Sequence, residues 1–325
     1  MPKIEYKRYD SNRCFGVELE VSNNFNKCDL KRVIKDNSLR KIRVSGWAQS
    51  NNNDYWHIKY DSTCGPLGES GEHGWEVASF KAKGIDDLLH IGEVADALYE
   101  SGVQVNDHCG LHIHADVSLF SPKRVATLLA RWIKIESILE QMVPFRRRRN
   151  HHCRFWKRDY RLREYAYRIS SNESIWSSQS FWEAMRPTNL GIHQNDQKRV
   201  TLNLVNYALA ESTGNNRRKT VELRLPEGTL NGNDIVNWVR FFLNFVDESE
   251  TASFPKNLNP IFSLEDFFQI LGLSHRSKFY ILSEGMNCTK SWILDRIMEY
   301  GTNGAAAKAS EKWCKINIPW QKIPV

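Results

Sequence analysis

An α+β architecture, with a mostly antiparallel sheet, helices on one face and a small helical C-terminal region, follows from three observations in the sequence. Short strand-like runs recur through the first two-thirds of the chain, and helical patterns separate them. After a Pro- and Asn-containing stretch at Ser253–Pro260, only helical patterns follow.

The strand-like runs are Cys14–Val21, Tyr55–Asp61, Trp75–Phe80, Gly110–Asp116, Arg199–Val205 and Thr220–Leu225. Alternation and β-branched or aromatic content support most of them. Asp86–Glu100 is the first expected helix. The second starts at Ser121 as N-cap with Pro122 at N1, and carries the apolar stripe Val125, Leu128, Leu129, Trp132, Ile133 and Ile135. Asn233 is the expected cap of a third, which carries Ile235, Trp238, Val239, Phe242 and Phe245. Beyond the linker, Ser263 precedes LEDFFQILGL as a helix start, and two further helices are expected before the tail WQKIPV.

With 325 residues, 41% of them hydrophobic and 11% aromatic, the chain can bury a substantial core. No apolar run approaches the roughly 18 to 20 residues of a membrane span, and MPKIEYKRYDSNR lacks the apolar stretch of a secretory signal. The seven cysteines (Cys14, Cys28, Cys64, Cys109, Cys153, Cys288 and Cys314) are odd in number and scattered. That pattern argues against a disulfide framework and a structural zinc site, so a soluble protein of the reducing cytoplasm is expected, with no membrane partner. The net charge of +7 points to an anionic partner. Between Arg146 and Arg163 nine Lys or Arg face one acid, Asp159, with Phe155, Trp156 and Tyr160 among them. Such a segment serves equally as a grip on phosphates or nucleic acid and as a solvated basic loop.

The chemistry sits in three short repeats of one grammar. In a strand, alternate side chains share a face, so Phe15-Gly16-Val17-Glu18-Leu19-Glu20 sends Val17 and Leu19 to the core and both glutamates to the other side. Leu111-His112-Ile113-His114 does the same with two imidazoles, and Val221-Glu222-Leu223-Arg224-Leu225 with a carboxylate and a guanidinium. Each alone is also found on solvated strand edges or as a surface ion pair. Together they look like one floor of a concave site. Asp61 and Glu76 lie in similar surroundings. Five converging carboxylates would raise one another's pKa values unless two or three hard divalent cations lay among them. Oxygen ligands with an imidazole suit Mg²⁺ or Mn²⁺; zinc is disfavoured because no cysteine accompanies the set.

The ordered series FGVELE, a strand ending in Asp-Ser, WEVAS, CGLHIHAD, RVTLN and TVELRLPEGTLN with a following Ile…Trp helix resembles the amidoligases. These belong to the carboxylate–amine ligase branch of the glutamine synthetase/glutamate–cysteine ligase superfamily. The likeness runs from about Phe15 to Trp238. It implies a glutamine synthetase-like catalytic domain with a curved sheet over residues 1–250, and a helical extension over 251–325. It also implies that Glu18, His112 and Glu222 hold a metal against the ATP phosphates. Glu20, Asp61 and Glu76 would hold a second near the acceptor site, with room for a third. By the same likeness His114 approaches the nucleotide phosphates, Arg224 neutralises the transferring phosphoryl group, and Arg199 holds phosphate or a substrate carboxylate. Asp61 stands where such folds use Glu, a shorter reach. No GxxxxGK[ST] is present, in keeping with a family that uses no P-loop.

The implied reaction is ATP-dependent amide formation through an acyl phosphate, releasing ADP and phosphate. Amino-acid or peptide-type substrates are expected, with Arg146–Arg163 as lid or as the grip on an anionic polymer or nucleic-acid acceptor. The rival readings are a nucleic-acid-binding protein or metal-dependent nuclease using that basic segment, and a regulatory binder that keeps the fold without the chemistry.

Overall fold

The computed structural model describes residues 11–23, 25–44, 54–64, 73–158, 198–213, 219–273 and 284–301, with the single positions 164 and 168. The part of the basic segment from 159 to 163, most of the Gly-rich stretch GPLGESGEHG and the tail WQKIPV lie outside them.

The alternating strands form the centre of an open, mostly antiparallel sheet. Its strands are β1 (Cys14–Asn23), β2 (Ile42–Val44), β3 (Trp56–Tyr60), β4 (His73–Ala78), β5 (Ala82–Lys83), β6 (Leu111–Asp116), β7 (Leu202–Asn203) and β8 (Thr220–Leu223). They lie in the order β2-β3-β4-β1-β6-β8-β7, with β5 also paired to β1. Only the β2–β3 pair is parallel. The mixed α+β class and the antiparallel sheet are as the sequence predicts.

Pleating sets one face of this sheet into the core. Val17, Leu19, Val21, Leu111, Ile113, Ala115, Val221 and Leu223 are all buried, and the register places Val17 opposite Ile113 and Ile113 opposite Leu223. The helices α1 (Lys27–Asn37), α2 (Gly84–Glu100), α3 (Pro122–Leu139) and a short α4 (Phe145–Arg148) precede β7. After it come α5 (Val205–Thr213), α6 (Gly232–Thr251), α7 (Leu264–Ile270) and α8 (Glu284–Tyr300). α6 packs against α2, α3 and β6, and Trp132 of α3 sits within 5.3–6.4 Å of the rings of Phe241, Phe242 and Phe245. Ser121 caps α3 ahead of Pro122, and Ser263 caps α7, each accepting a backbone N–H three residues on. α2 ends on Gly102, whose φ of +89° suits the left-handed turn in which Val103 N–H reaches back to Leu98 O.

Several boundaries differ from expectation for identifiable reasons. Asn231, not Asn233, caps α6, because its side chain accepts from Asp234 N at 3.0 Å; Asn233 instead accepts from Asn237 one turn later. The run Arg199–Val205 yields a strand of only two residues, since Asn203 Oδ1 accepts from Val205 N and turns the chain into α5. α1 rests on a reciprocal capping box between Asn26 and Asp29. The helices beyond residue 250 join the same core: Trp292, Ile293, Leu294 and Ile297 are buried in it, and Trp238 meets Trp292 edge-on at 5.0 Å.

The basic segment is not a solvated loop where it is described. Arg147 and Arg148 are buried. Arg147 donates through Nε to Leu225 O at 3.1 Å and through Nη2 to Arg224 O at 2.7 Å, while Arg148 donates to Val143 O and Tyr300 O. Lys157 and Arg158 both pair with Glu140, and Arg146 pairs with Asp107. A guanidinium enclosed in this way satisfies buried carbonyls, so its loss strands them. Arg147→Ala is expected to lower stability by about 2–4 kcal/mol, at about 1.5–3 kcal/mol for each charged hydrogen bond less what water recovers. Arg146→Ala, at the surface, should change it by less than about 1 kcal/mol. Urea unfolding of both variants checks this; equal, small effects would return the segment to the status of a surface loop.

Candidate active site

The polar face of the central strands carries the motif residues as one strip. Glu18 on β1 lies opposite His112 on β6, His114 lies opposite Glu222 on β8, and Glu20 lies opposite Glu76 on β4. Strand alternation and antiparallel register are enough to assemble this strip, and no loop conformation enters.

At its centre one oxygen each of Glu18 and Glu222 and one ring nitrogen of His114 lie within 4.8 Å of one another. His114 Nε2 is 3.2 Å from Glu18 Oε1, an ion pair when the imidazole is protonated, but is not aligned for a hydrogen bond and has no hydrogen-bond partner among the described residues. Arg224 donates through Nη1 to Glu222 Oε1 at 2.5 Å, and its Nε is likewise buried without a hydrogen-bond partner. Asn203 fixes the other oxygen of Glu222 at 2.6 Å. Two carboxylates and an imidazole in this arrangement fit a hard divalent cation such as Mg²⁺ or Mn²⁺. The unpartnered nitrogen is the mark of a site completed by something else.

His112 is placed differently from the expectation that it joins that set. It is buried between the two groups, with Nδ1 3.4 Å from Glu18 Oε2 and 3.8 Å from Glu222 Oε1, and Nε2 3.5 Å from Glu20 Oε1. The residue brought into the three-atom group is His114.

Glu20, Asp61 and Glu76 do not meet as one set. Glu76 Oε1 accepts from Lys59 Nζ at 2.5 Å, so an ammonium lies where a second metal is expected to be shared. Asp61 Oδ1 accepts from Thr63 N and Oγ1. Glu20 Oε2 accepts from Gly110 N at 2.6 Å, a close approach that needs glycine, since a Cβ there would stand 2.8 Å from Arg147 Nη2 and 3.0 Å from His112 Nε2. Glu20 and Asp61 do come together, but with Cys64: ligand atoms of the three lie within 4.8 Å. A cysteine therefore accompanies the acids after all, and the sequence signal was its position three residues after Asp61.

The electrostatics correct the expectation that crowding raises every carboxylate. Burial would lift Glu18, yet it is held well below the usual range by His114 and His112. Burial would also lift Glu222, but Arg224 and then the two histidines hold it down. Glu76 is pushed up, to about 7, by burial and by Glu18 against the pull of Lys59. His114, which burial would lower, is raised to about 9 by Glu18 and Glu222. His152 is depressed to about 4 by burial, then by the positive charges of His151, Arg199, Arg224 and Arg147. Arg199 is half-buried, on the segment whose carbonyl accepts from Arg154 N.

The family model described as "Putative amidoligase enzyme" matches residues 11–246. The chain belongs to that family. Membership makes it a ligase-type enzyme, and the matched span contains every residue of the strip. No curated protein matches the chain. No helix among the described residues is long and apolar enough to cross a membrane.

Because the folded value of His114 stands above its ordinary 6.5, its stabilisation of the metal-free protein is complete below about 6.5 and drains away as pH rises through about 9. The loss is on the order of 3 kcal/mol. Urea unfolding in chelator at pH 6, 7.5 and 9 is expected to show this decline, and His114→Gln should flatten it. A decline of the same size in the variant would assign it to another group.

Proposed function

We propose that this amidoligase-family chain is an ATP- and Mg²⁺-dependent carboxylate–amine ligase that forms an amide through an acyl phosphate and releases ADP and phosphate. The observation that carries the reading is the convergence of Glu18, His114 and Glu222 on one point, with Arg224 held beside them by Glu222.

A divalent cation bound there supplies positive charge against the phosphate oxygens as negative charge develops on them. Glu18, His114 and Glu222 would hold it; His112 keeps Glu18 and Glu222 in place from below. Arg224 spends one arm on Glu222, which orients the guanidinium, and its unpartnered Nε is left to donate to the transferring phosphoryl group. Arg199 would hold a phosphate or the substrate carboxylate; its charge, like that of Arg224, acts on His152. An amine then attacks the activated carbonyl, the C–O bond to phosphate breaks and the amine proton is lost. Water must be excluded while the acyl phosphate persists. Amino-acid or peptide-type substrates remain the proposed class. A nucleic-acid grip at 146–163 draws less support, because Arg146, Arg147, Arg148, Lys157 and Arg158 are turned onto carbonyls and acids of the chain itself.

The test is incubation of the protein with MgATP and a mixture of amino acids and short peptides, followed by nucleotide analysis and a search for a new amide mass. ADP with phosphate is expected; AMP with pyrophosphate would replace the acyl phosphate by an adenylate. Glu18→Gln and Glu222→Gln are each expected to cut turnover at least about 100-fold with circular dichroism unchanged.

A further inference from the structure

The strand that carries Glu222 ends at Leu223, and the chain beyond it, residues 224–227, is tied down residue by residue. Arg224 N–H donates to Thr201 O at 3.0 Å. Arg147 of α4 donates to the carbonyls of Arg224 and Leu225 at 2.7 and 3.1 Å, and Leu111 N–H donates to Pro226 O at 3.4 Å. Glu227 Oε1 accepts from Nη2 of Arg296 on α8. The other oxygen of Glu227 is buried without a hydrogen-bond partner among the described residues, so Arg296 carries the hold on this side chain. α8 reaches the same segment by a second route. Arg296 Nε donates to Met142 O at 2.8 Å, just ahead of α4. Tyr300 O, at the end of α8, accepts from Arg148 Nη2, and Arg148 Nε donates to Val143 O at 3.0 Å. α4 is thus fastened to α8 on one side and, through Arg147, to Arg224 on the other. The guanidinium of Arg296 is itself enclosed. It lies 5.3 Å from the ring centroids of Trp238 and Trp292 and 4.9 Å from that of Tyr300, with Nη1 3.8 Å from Asp234 Oδ2. A planar fork aimed at one carbonyl and two carboxylates sets position in a way that a flexible ammonium does not.

We infer that Arg296 is a positioning residue for Arg224, and that α8, which lies wholly beyond the matched span 11–246, is part of the catalytic unit. The inference takes its chemistry from the ligase reading, in which Arg224 meets the transferring phosphoryl group. Such a guanidinium must point correctly at the moment charge develops, and a displacement of about 1 Å costs up to about 100-fold in rate. Glu222 fixes one arm of Arg224, at Nη1. That contact does not fix the backbone from which the side chain starts; the ties at 224–227 do. Arg296 makes its contacts off the strip and acts through Glu227 on one end of the segment and through α4 on the other. The basic run at 146–149 then has a use that is neither lid nor polyanion grip, since Arg147 and Arg148 pass the position of α8 on to Arg224. A merely structural Arg296 would support folding and leave the placement of Arg224 to the sheet.

The experiment follows the side-chain Nε–H signal of Arg224 by proton–nitrogen NMR in the full chain, assigned by its loss in Arg224→Lys, together with MgATP turnover. Arg296→Lys keeps the charge and loses the fork, and Glu227→Gln removes the other half of the same contact. Each is expected to shift the Arg224 signal and to lower kcat about 10- to 100-fold, with KM for MgATP changed less than about 3-fold. The two changes combined should lower kcat little more than either alone, because they break one contact. Lys290→Met is the control. Lys290 is buried on the same helix and donates to Leu273 O at 3.1 Å, so its loss should lower stability in urea and leave the Arg224 signal and kcat unchanged. If Arg296→Lys does not fold, Glu227→Gln reports instead. An Arg224 signal unmoved in these variants, one moved as far by Lys290→Met, or a shifted signal with unchanged kcat would each overturn the inference. A wild type without MgATP turnover whose Arg224 signal still shifts in both variants would remove the ligase reading and leave Arg296 as the residue that positions Arg224.

Discussion

Glu18 stands on the sheet with Glu20, Glu76 and Glu222 as neighbours, and a sheet cannot carry such a row of carboxylates unless positive charge is built in beside it. The chain supplies that charge one group at a time. His114 and His112 lie against Glu18, Arg224 is held by Glu222, and Lys59 is held by Glu76. The result is a strip in which Glu18 and Glu222 are held below the usual carboxylate range by their cationic neighbours. The floor is one whose charges are paired within the chain.

Such a floor demands rigid support, because a rotation of a few tenths of an ångström at each side chain would undo the pairings. Part of the support is apolar: every strip residue alternates with a buried aliphatic one, so it cannot turn over without exposing core. The rest is polar and buried. Glu136 on α3 accepts from Trp156 N, Lys157 N and Thr201 Oγ1, and Thr201 in turn accepts from Trp132 Nε1. That network fixes the segment carrying Arg199 and Asn203. Burial pushes the carboxyl of Glu136 up to about 7 against these donors, the cost of placing it so deep. On the other flank Arg147 holds the carbonyls of Arg224 and Leu225, and Arg296 of α8 holds Glu227 and Met142 O. The C-terminal helix therefore bears on the turn that follows Glu222 and Arg224.

What the sequence showed and what it hid divide along a physical line. The polar strip was legible because strand alternation is local: Glu18, Glu20, His112, His114, Glu222 and Arg224 follow from period-two patterning alone. Caps at Ser121 and Ser263 were legible for the same reason, since the cap and the N–H that donates to it are three residues apart. The roles within the strip were not. Whether His112 or His114 joins Glu18 and Glu222 depends on side-chain rotation across three strands, and whether Glu76 faces a metal or Lys59 depends on a pairing between β3 and β4. Arg147 and Arg148 misled for a further reason. A run of four arginines reads as solvated by composition, and nothing local shows that buried carbonyls from residues 225 and 300 await two of them.

The internal cations also bear on what the strip can do. Each occupies a position that a ligand would contest, so binding is an exchange of charges rather than the filling of a vacancy. A divalent cation arriving among Glu18, His114 and Glu222 competes with the proton on His114, because a ring nitrogen cannot hold both. Arg224 faces a different competition. It cannot lose its charge, so in the proposed reaction a phosphoryl oxygen would have to share the guanidinium with Glu222. Sharing is feasible because the fork has several donors and Nε is without a hydrogen-bond partner. Lys59 and Glu76 complete the contrast: that pair is closed upon itself, and a ligand there must break it. The strip is thus graded from a centre where an arriving cation would displace a proton to an edge where Lys59 and Glu76 are closed upon each other, and that gradient is why the proposed chemistry is placed at the centre.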